Sequence, residues 1–181
     1  MNIFGIEPKV WFPVITLIVG AALKELGDWV TYRRTAAREI ASRKIERQAA
    51  AHLRRIEFQR GTLLELQDTC QQLARHTGRL HFEDGIAYKR TGEWGKSLVS
   101  DETSDGARVC QASLSKLRSR TQSEAIRQLA DQFSSECATV ALASAKAASD
   151  SAINKMSVSL NELNDRIGSE LRALDSDEND I

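Results

Sequence analysis

The sequence predicts an all-α protein. An N-terminal transmembrane helix continues into a long helix, which takes part in an antiparallel long-helix hairpin or bundle with a short helix and a loop at its far end. Three observations carry this. Two prolines and ten glycines in 181 residues, with only 6% aromatic residues, suit long helices better than a sandwich or barrel. Apolar residues recur at spacings of three and four over Ile45–Leu73 and Ile153–Leu174. Near the start, Val10–Val30 (VWFPVITLIVGAALKELGDWV) has the composition of a membrane anchor.

Residues 1–9 form a short flank with one acid, Glu7, and one base, Lys9. The apolar run from Val10 to Leu23 is fourteen residues, short of the ~20 that a crossing needs. The rest of the length comes from Lys24–Val30, where Lys24 can extend its ammonium to the headgroups and Glu25 and Asp28 sit in the interface. The membrane-facing candidates are Trp11, Phe12, Ile15, Leu17, Ile18, Val19, Leu23 and Trp29. Trp11 and Trp29 lie about 27 Å apart along a helix, which suits the two edges of a hydrocarbon slab. Pro13 falls in the first turn, where its missing N–H costs little. Two other readings compete: a buried core helix, and a signal peptide cut at Val19-Gly20-Ala21. Nothing later in the chain looks able to wrap the first. Glu7, Pro13 and a helical pattern that runs past the cut oppose the second.

The formal net charge of zero hides an asymmetry. Residues 1–60 hold eleven Lys/Arg against six Asp/Glu, and residues 61–181 hold fourteen against nineteen. Thr31–Arg60 alone has nine bases and three acids. Positive charge next to an anchor marks the cytoplasmic side, so the N-terminus is expected outside and the body in the cytoplasm, at the inner membrane. Arg33, Arg34, Arg38, Arg43 and Lys44 are the candidates for contact with anionic lipid, against the plainer reading of a solvated helix face. Nucleic acid is a poor fit as a partner, because no groove-reading motif accompanies the charge.

With Ile45 at heptad position d, Ala49, Ile56, Leu63 and Cys70 fall at a, and His52, Gln59, Leu66 and Leu73 at d. Such a seam calls for a helical partner, within the chain or in a homo-oligomer, and polar d residues set register at a cost. The basic helix, 31–77, is expected to end near Gly78. Five glycines between Gly78 and Arg108 then predict a loop region, 78–104, with short helices at about Asp84–Lys89 and Glu93–Leu98. Gly95-Lys96-Ser97 resembles the end of a phosphate-binding loop, but Arg90 stands where its first glycine belongs. His76, His81, Glu83 and Asp84 match no metal-ligand spacing.

A short helix is expected at 105–120 and a long one at 121–174, the latter opened by the capping box Thr121-Gln122-Ser123-Glu124. Its seam residues are Ile153, Leu160, Leu163 and Ile167, with a possible break near Ser149-Asp150. Residues 175–181 read as a disordered acidic tail. Asp150–Ile181 carries eight acids and three bases, so an antiparallel pairing would set it against the basic segment. Cys70, Cys110 and Cys137 show no CxxC or metal spacing and read as small apolar residues on helix faces in a reducing compartment.

Four strings, GAALKELGDWVTYRR, LLELQDTCQQLAR, EDGIAYKRTGEWG and NELNDRIGSELRAL, together touch most of the chain. In these the chain resembles small bacterial proteins with a single N-terminal anchor and a helical or coiled-coil body. The resemblance implies topology and no activity. No catalytic, metal or cofactor constellation is expected, and hence no enzyme. The leading expectation is a membrane-tethered helical interaction or scaffold protein, with membrane lipid and an unidentified protein as partners. A phage-type lysis or envelope coiled coil with its body outside would need the opposite orientation. A membrane-associated nucleic-acid or defence accessory protein would recruit through Arg33–Arg60.

Overall fold

The computed structural model describes residues 8–95 and 100–179, and within its helices leaves the side chains of 8–14, 30, 36, 37, 178 and 179 undescribed. Four α-helices account for nearly all of it: α1 (Pro8–Thr91), α2 (Asp101–Arg120), α3 (Glu124–Ala141) and α4 (Lys146–Asn179). The described residues include no strand. The chain divides into two units after Ala51.

From His52 onward the helices form an up-down-up-down bundle, and side-chain partners fix each direction. α2 runs against α1, because Gln59 meets Arg120 while Gln72 meets Cys110. α3 runs against α2, through Arg118–Asp131 and Gln111–Ser134. α4 runs against α1, through Arg60–Asp175, Gln67–Asn164 and His81–Ser149. The expected antiparallel packing is therefore present, but α4 lies along α1 from Arg60 to His81. The charge pairing expected of Thr31–Arg60 is seen at Arg60–Asp175, while the described basic side chains of 31–51 are exposed.

The core takes one stripe from each helix. Leu63, Leu66, Cys70 and Leu73 come from α1, and Cys110, Leu114 and Leu117 from α2. Ile126, Ala130, Phe133 and Cys137 come from α3, and Met156, Leu163 and Ile167 from α4. Burying a Leu, Ile or Phe side chain contributes about 1.5–3 kcal/mol, so this stripe is the main source of stability. Of the expected seam, Ile56, Leu63, Leu66, Leu73, Leu163 and Ile167 are buried. Ile153 and Leu160 are partly buried against the core. Ile45 is exposed and takes no part. The reason is the length of the partner helix. α4 ends one turn beyond Asp175, so its cover reaches one turn beyond Arg60, to Ile56.

Four expected boundaries move. α1 continues past Gly78 to Thr91, and the expected loop is reduced to the segment between Gly92 and Ser100. A helical glycine costs about 1 kcal/mol relative to Ala. The turns beyond Gly78 offset it by packing, with Asp84 buried and His81 bonded to Ser149 at 2.9 Å. The stop lies at Gly92, whose φ of 75° suits glycine and whose N–H donates to the Tyr88 carbonyl at 2.8 Å. α2 begins at Asp101, four residues early, because Ser100 caps it by accepting the Thr103 N–H at 3.3 Å. The second half of the expected helix at Glu93–Leu98 falls largely outside the described residues.

The expected 121–174 helix is two helices, with its break at 142–145 rather than at Ser149. The capping box does not form. Ser123 stands at the N-cap without a side-chain bond, and Glu124 instead binds Arg127 and Gln128. That pairing holds the Glu124 carboxyl below its usual range, the Arg127 hydrogen bond being the main cause. The turn between α2 and α3 is held by Gln59, whose amide donates to the Arg120 carbonyl and accepts from the Gln122 N–H, each at 3.1 Å. The polar d residue of the seam thus satisfies two backbone groups of a neighbouring turn. At the other end, α4 continues through the expected disordered tail to Asn179, with Asp175 ion-paired to Arg60.

Candidate membrane interface

Residues 15–51 of α1 differ from the bundle in one respect that decides their chemistry. Every described side chain among them is exposed except Ala49, which is half-buried. Six of the eight anchor candidates can be placed. Ile15, Leu17, Ile18, Val19, Leu23 and Trp29 are all exposed, Leu17 at 74%. Trp11 and Phe12 lie in α1, but their side chains are outside the described residues. Among the described residues, no helix is long and apolar enough to cross a membrane. The crossing expected of Val10–Val30 is therefore unsupported, and the physical obstacle is Lys24, Glu25 and Asp28 within it.

The basic candidates Arg33, Arg34, Arg38, Arg43 and Lys44 are all exposed. The Arg33 guanidinium sits over the Trp29 ring at 4.4 Å, so the apolar stretch and the basic run meet on one face. Further along, Ile40, Arg43, Lys44, Arg47, Gln48 and Ala51 line one furrow of the helix. Arg43 and Glu39 approach to 3.9 Å with both side chains mostly exposed, a pair worth well under about 1 kcal/mol. It leaves the guanidinium available to an anion.

The bundle offers two other clusters, neither visible in the sequence. His81 of α1 contacts Ser149 through Nδ1 at 2.9 Å and Asp150 through Nε2 at 3.3 Å, and Trp94 packs against it with Tyr88 behind. The residue types are those of a hydrolytic triad. The geometry is not, because Ser149 is fully buried at 0% exposure, and no substrate carbonyl can reach its hydroxyl. Register alone brings His81 to Ser149, across 68 residues of sequence, and no local motif announces it.

The second cluster is three thiols from three helices. Burial pushes Cys70 up to about 12, with Cys137 and Cys110 nearby adding to the shift. Burial likewise raises Cys137 to about 11, against a lowering hydrogen bond from Thr77, and also raises Cys110. Such thiols are poor nucleophiles. Among the described residues, no group of three or more His, Cys, Asp or Glu side chains is placed to hold a metal ion.

Fold and surface together define a class: a four-helix up-down-up-down bundle in a chain whose residues 15–51 form an exposed, apolar-then-basic helical segment. No family model, no curated protein and no solved structure matches the chain.

Proposed function

We propose that this protein is a membrane-tethered helical interaction module, with its bundle on the cytoplasmic side as a scaffold for a partner protein or further copies of the chain. One observation carries the reading: the exposed apolar residues from Ile15 to Trp29 are followed directly by an exposed basic run. A run of exposed large apolar side chains on one segment marks an interaction surface. Transfer of each such side chain into an apolar phase contributes about 1.5–3 kcal/mol, so a few suffice to hold the chain on a bilayer. The basic run favours the cytoplasmic leaflet. A single-pass form with the N-terminus outside would draw on Val10–Val14 for extra apolar length.

The test is fractionation of the full chain expressed in a bacterial host. Sedimentation with membranes is expected, with release by detergent. Ile18→Asp combined with Leu26→Asp should move the protein to the soluble fraction while leaving its circular dichroism unchanged. A wild-type chain found wholly in the soluble fraction at low salt would sink the proposal.

A further inference from the structure

Most of the large exposed side chains of the tether share one face of the helix. At about 100° per residue, Ile15, Ile18, Val19, Ala22, Leu26 and Trp29 fall within a sector roughly 100° wide. Continued along the same helix, that sector receives Arg33, Ile40, Arg43, Lys44 and Arg47, widening only to about 120°. Two contacts agree with this placement. Arg33 covers Trp29, and Ile40, Arg43, Lys44 and Arg47 share one furrow. The acids Glu25, Asp28, Glu39 and Glu46 gather in a strip about 60° wide along one flank. Lys24, Arg34 and Arg38 fall on the back, where Leu23 stands beside Arg34 and Leu17 lies past the acidic strip.

Resting on the tether reading, we propose that residues 15–47 bind by lying flat along an anionic phospholipid surface, rather than by crossing the bilayer. The apolar end of the face sinks among the acyl chains. The cationic end of the same face meets the phosphates, and the acidic flank stays in water. The segment spans about 48 Å, enough to place both ends of the face on one leaflet at once. This arrangement also explains Lys24, Glu25 and Asp28, which obstruct a crossing but lie at or beyond the edge of a face that does not cross. A lipid surface fits better than a nucleic acid, which has no use for a six-residue apolar face in line with the arginines. A second copy of the chain fits worse still, because a parallel pair would set Arg43, Lys44 and Arg47 against their own images and an antiparallel pair would set them against the apolar end.

The proposal divides the basic candidates by face, and so do the variants that test it. Full-length protein is floated with vesicles of phosphatidylcholine alone and with phosphatidylcholine mixed with phosphatidylglycerol. Binding is expected to require the anionic lipid and to weaken with salt. Arg43→Gln with Arg47→Gln should lower affinity about 30-fold. Arg34→Gln with Arg38→Gln removes the same charge from the back of the helix and should lower it less than about 3-fold. Equal losses from the two pairs would overturn the fixed roll. Equal, salt-resistant binding to both vesicle types would overturn the flat geometry while leaving the tether intact. Binding to neither would overturn the tether reading itself. Retention on single- or double-stranded DNA or RNA, without vesicle binding, would replace lipid as the ligand.

Discussion

Residues 15–51 and residues 52–179 are both helical, but their helices persist for different reasons. In the second region every helix contributes an apolar stripe to one shared core, and Leu66, Ile126, Phe133, Leu163 and Ile167 reach 0% exposure. In the first, described side chains as large as Leu17, Tyr32 and Ile40 stand in solvent. There the backbone bonds and a few exposed i,i+4 contacts must hold the helix, and these are marginal in water. Thr31 and Thr35 even bond back to the carbonyls of Gly27 and Thr31, which slightly weakens a helix. Tertiary burial makes a helix a structural member; without it, a helix is a surface that awaits something to bind.

Breaking the contrast requires that the two regions respond alike. The largest difference should appear in Phe133→Ala, expected to destabilise the bundle by about 3–5 kcal/mol in urea unfolding followed by circular dichroism. Gln59→Ala should come next. It leaves the Arg120 carbonyl and the Gln122 N–H without their partner, at a cost of about 1–3 kcal/mol. Alkaline pH should produce a graded loss. Cys70 and Cys137 keep their protons in the folded state up to about 12 and about 11, whereas the unfolded thiols ionise near 9.0. Stability is thus full below pH 9.0 and falls as pH rises from there through the folded values. Cys70→Ala with Cys137→Ala should flatten that fall. Ile40→Ala and Ile45→Ala should be smallest, within about 0.5 kcal/mol. A loss at Ile45 as large as at Phe133 would mean that the seam extends into the exposed region after all.

Limited trypsin digestion sharpens the same contrast without mutation. Cleavage should start between Arg33 and Arg47 and pause at a fragment containing 52–179. Anionic vesicles should slow the first cuts.

The seam was legible because spacings of three and four at Leu63, Leu66, Leu73, Leu163 and Ile167 report local periodicity, and the core kept that periodicity. The ends of elements were less legible, for they depend on distant partners. Gly78 reads as a stop until His81 finds Ser149 and Asp150. The turn at 142–145 sits in an Ala/Ser-rich stretch whose own preference is helical, and it breaks because α4 must reverse to pair with α1. Thr121–Glu124 has the letters of a capping box, yet Arg127 competes for the glutamate. At the candidate site, the composition of Val10–Val30 suggested a crossing. The roll angle of its residues relative to Arg33–Arg47 was already implicit in the continuous helix that the sequence predicts.

The pair between Arg60 and Asp175 spans 115 residues and joins the first turns of the bundle to the last turns of α4. Its consequence concerns the order of synthesis. The ribosome delivers the exposed segment before the bundle, and α4 after the other three helices, so Leu63, Leu66 and Leu73 are only partly covered until α4 has emerged. Closing so long a loop is slow compared with pairing neighbouring helices. Under the tether reading, a nascent chain would reach its lipid surface while its core is still open, and the final turn of α4 would act as the latch.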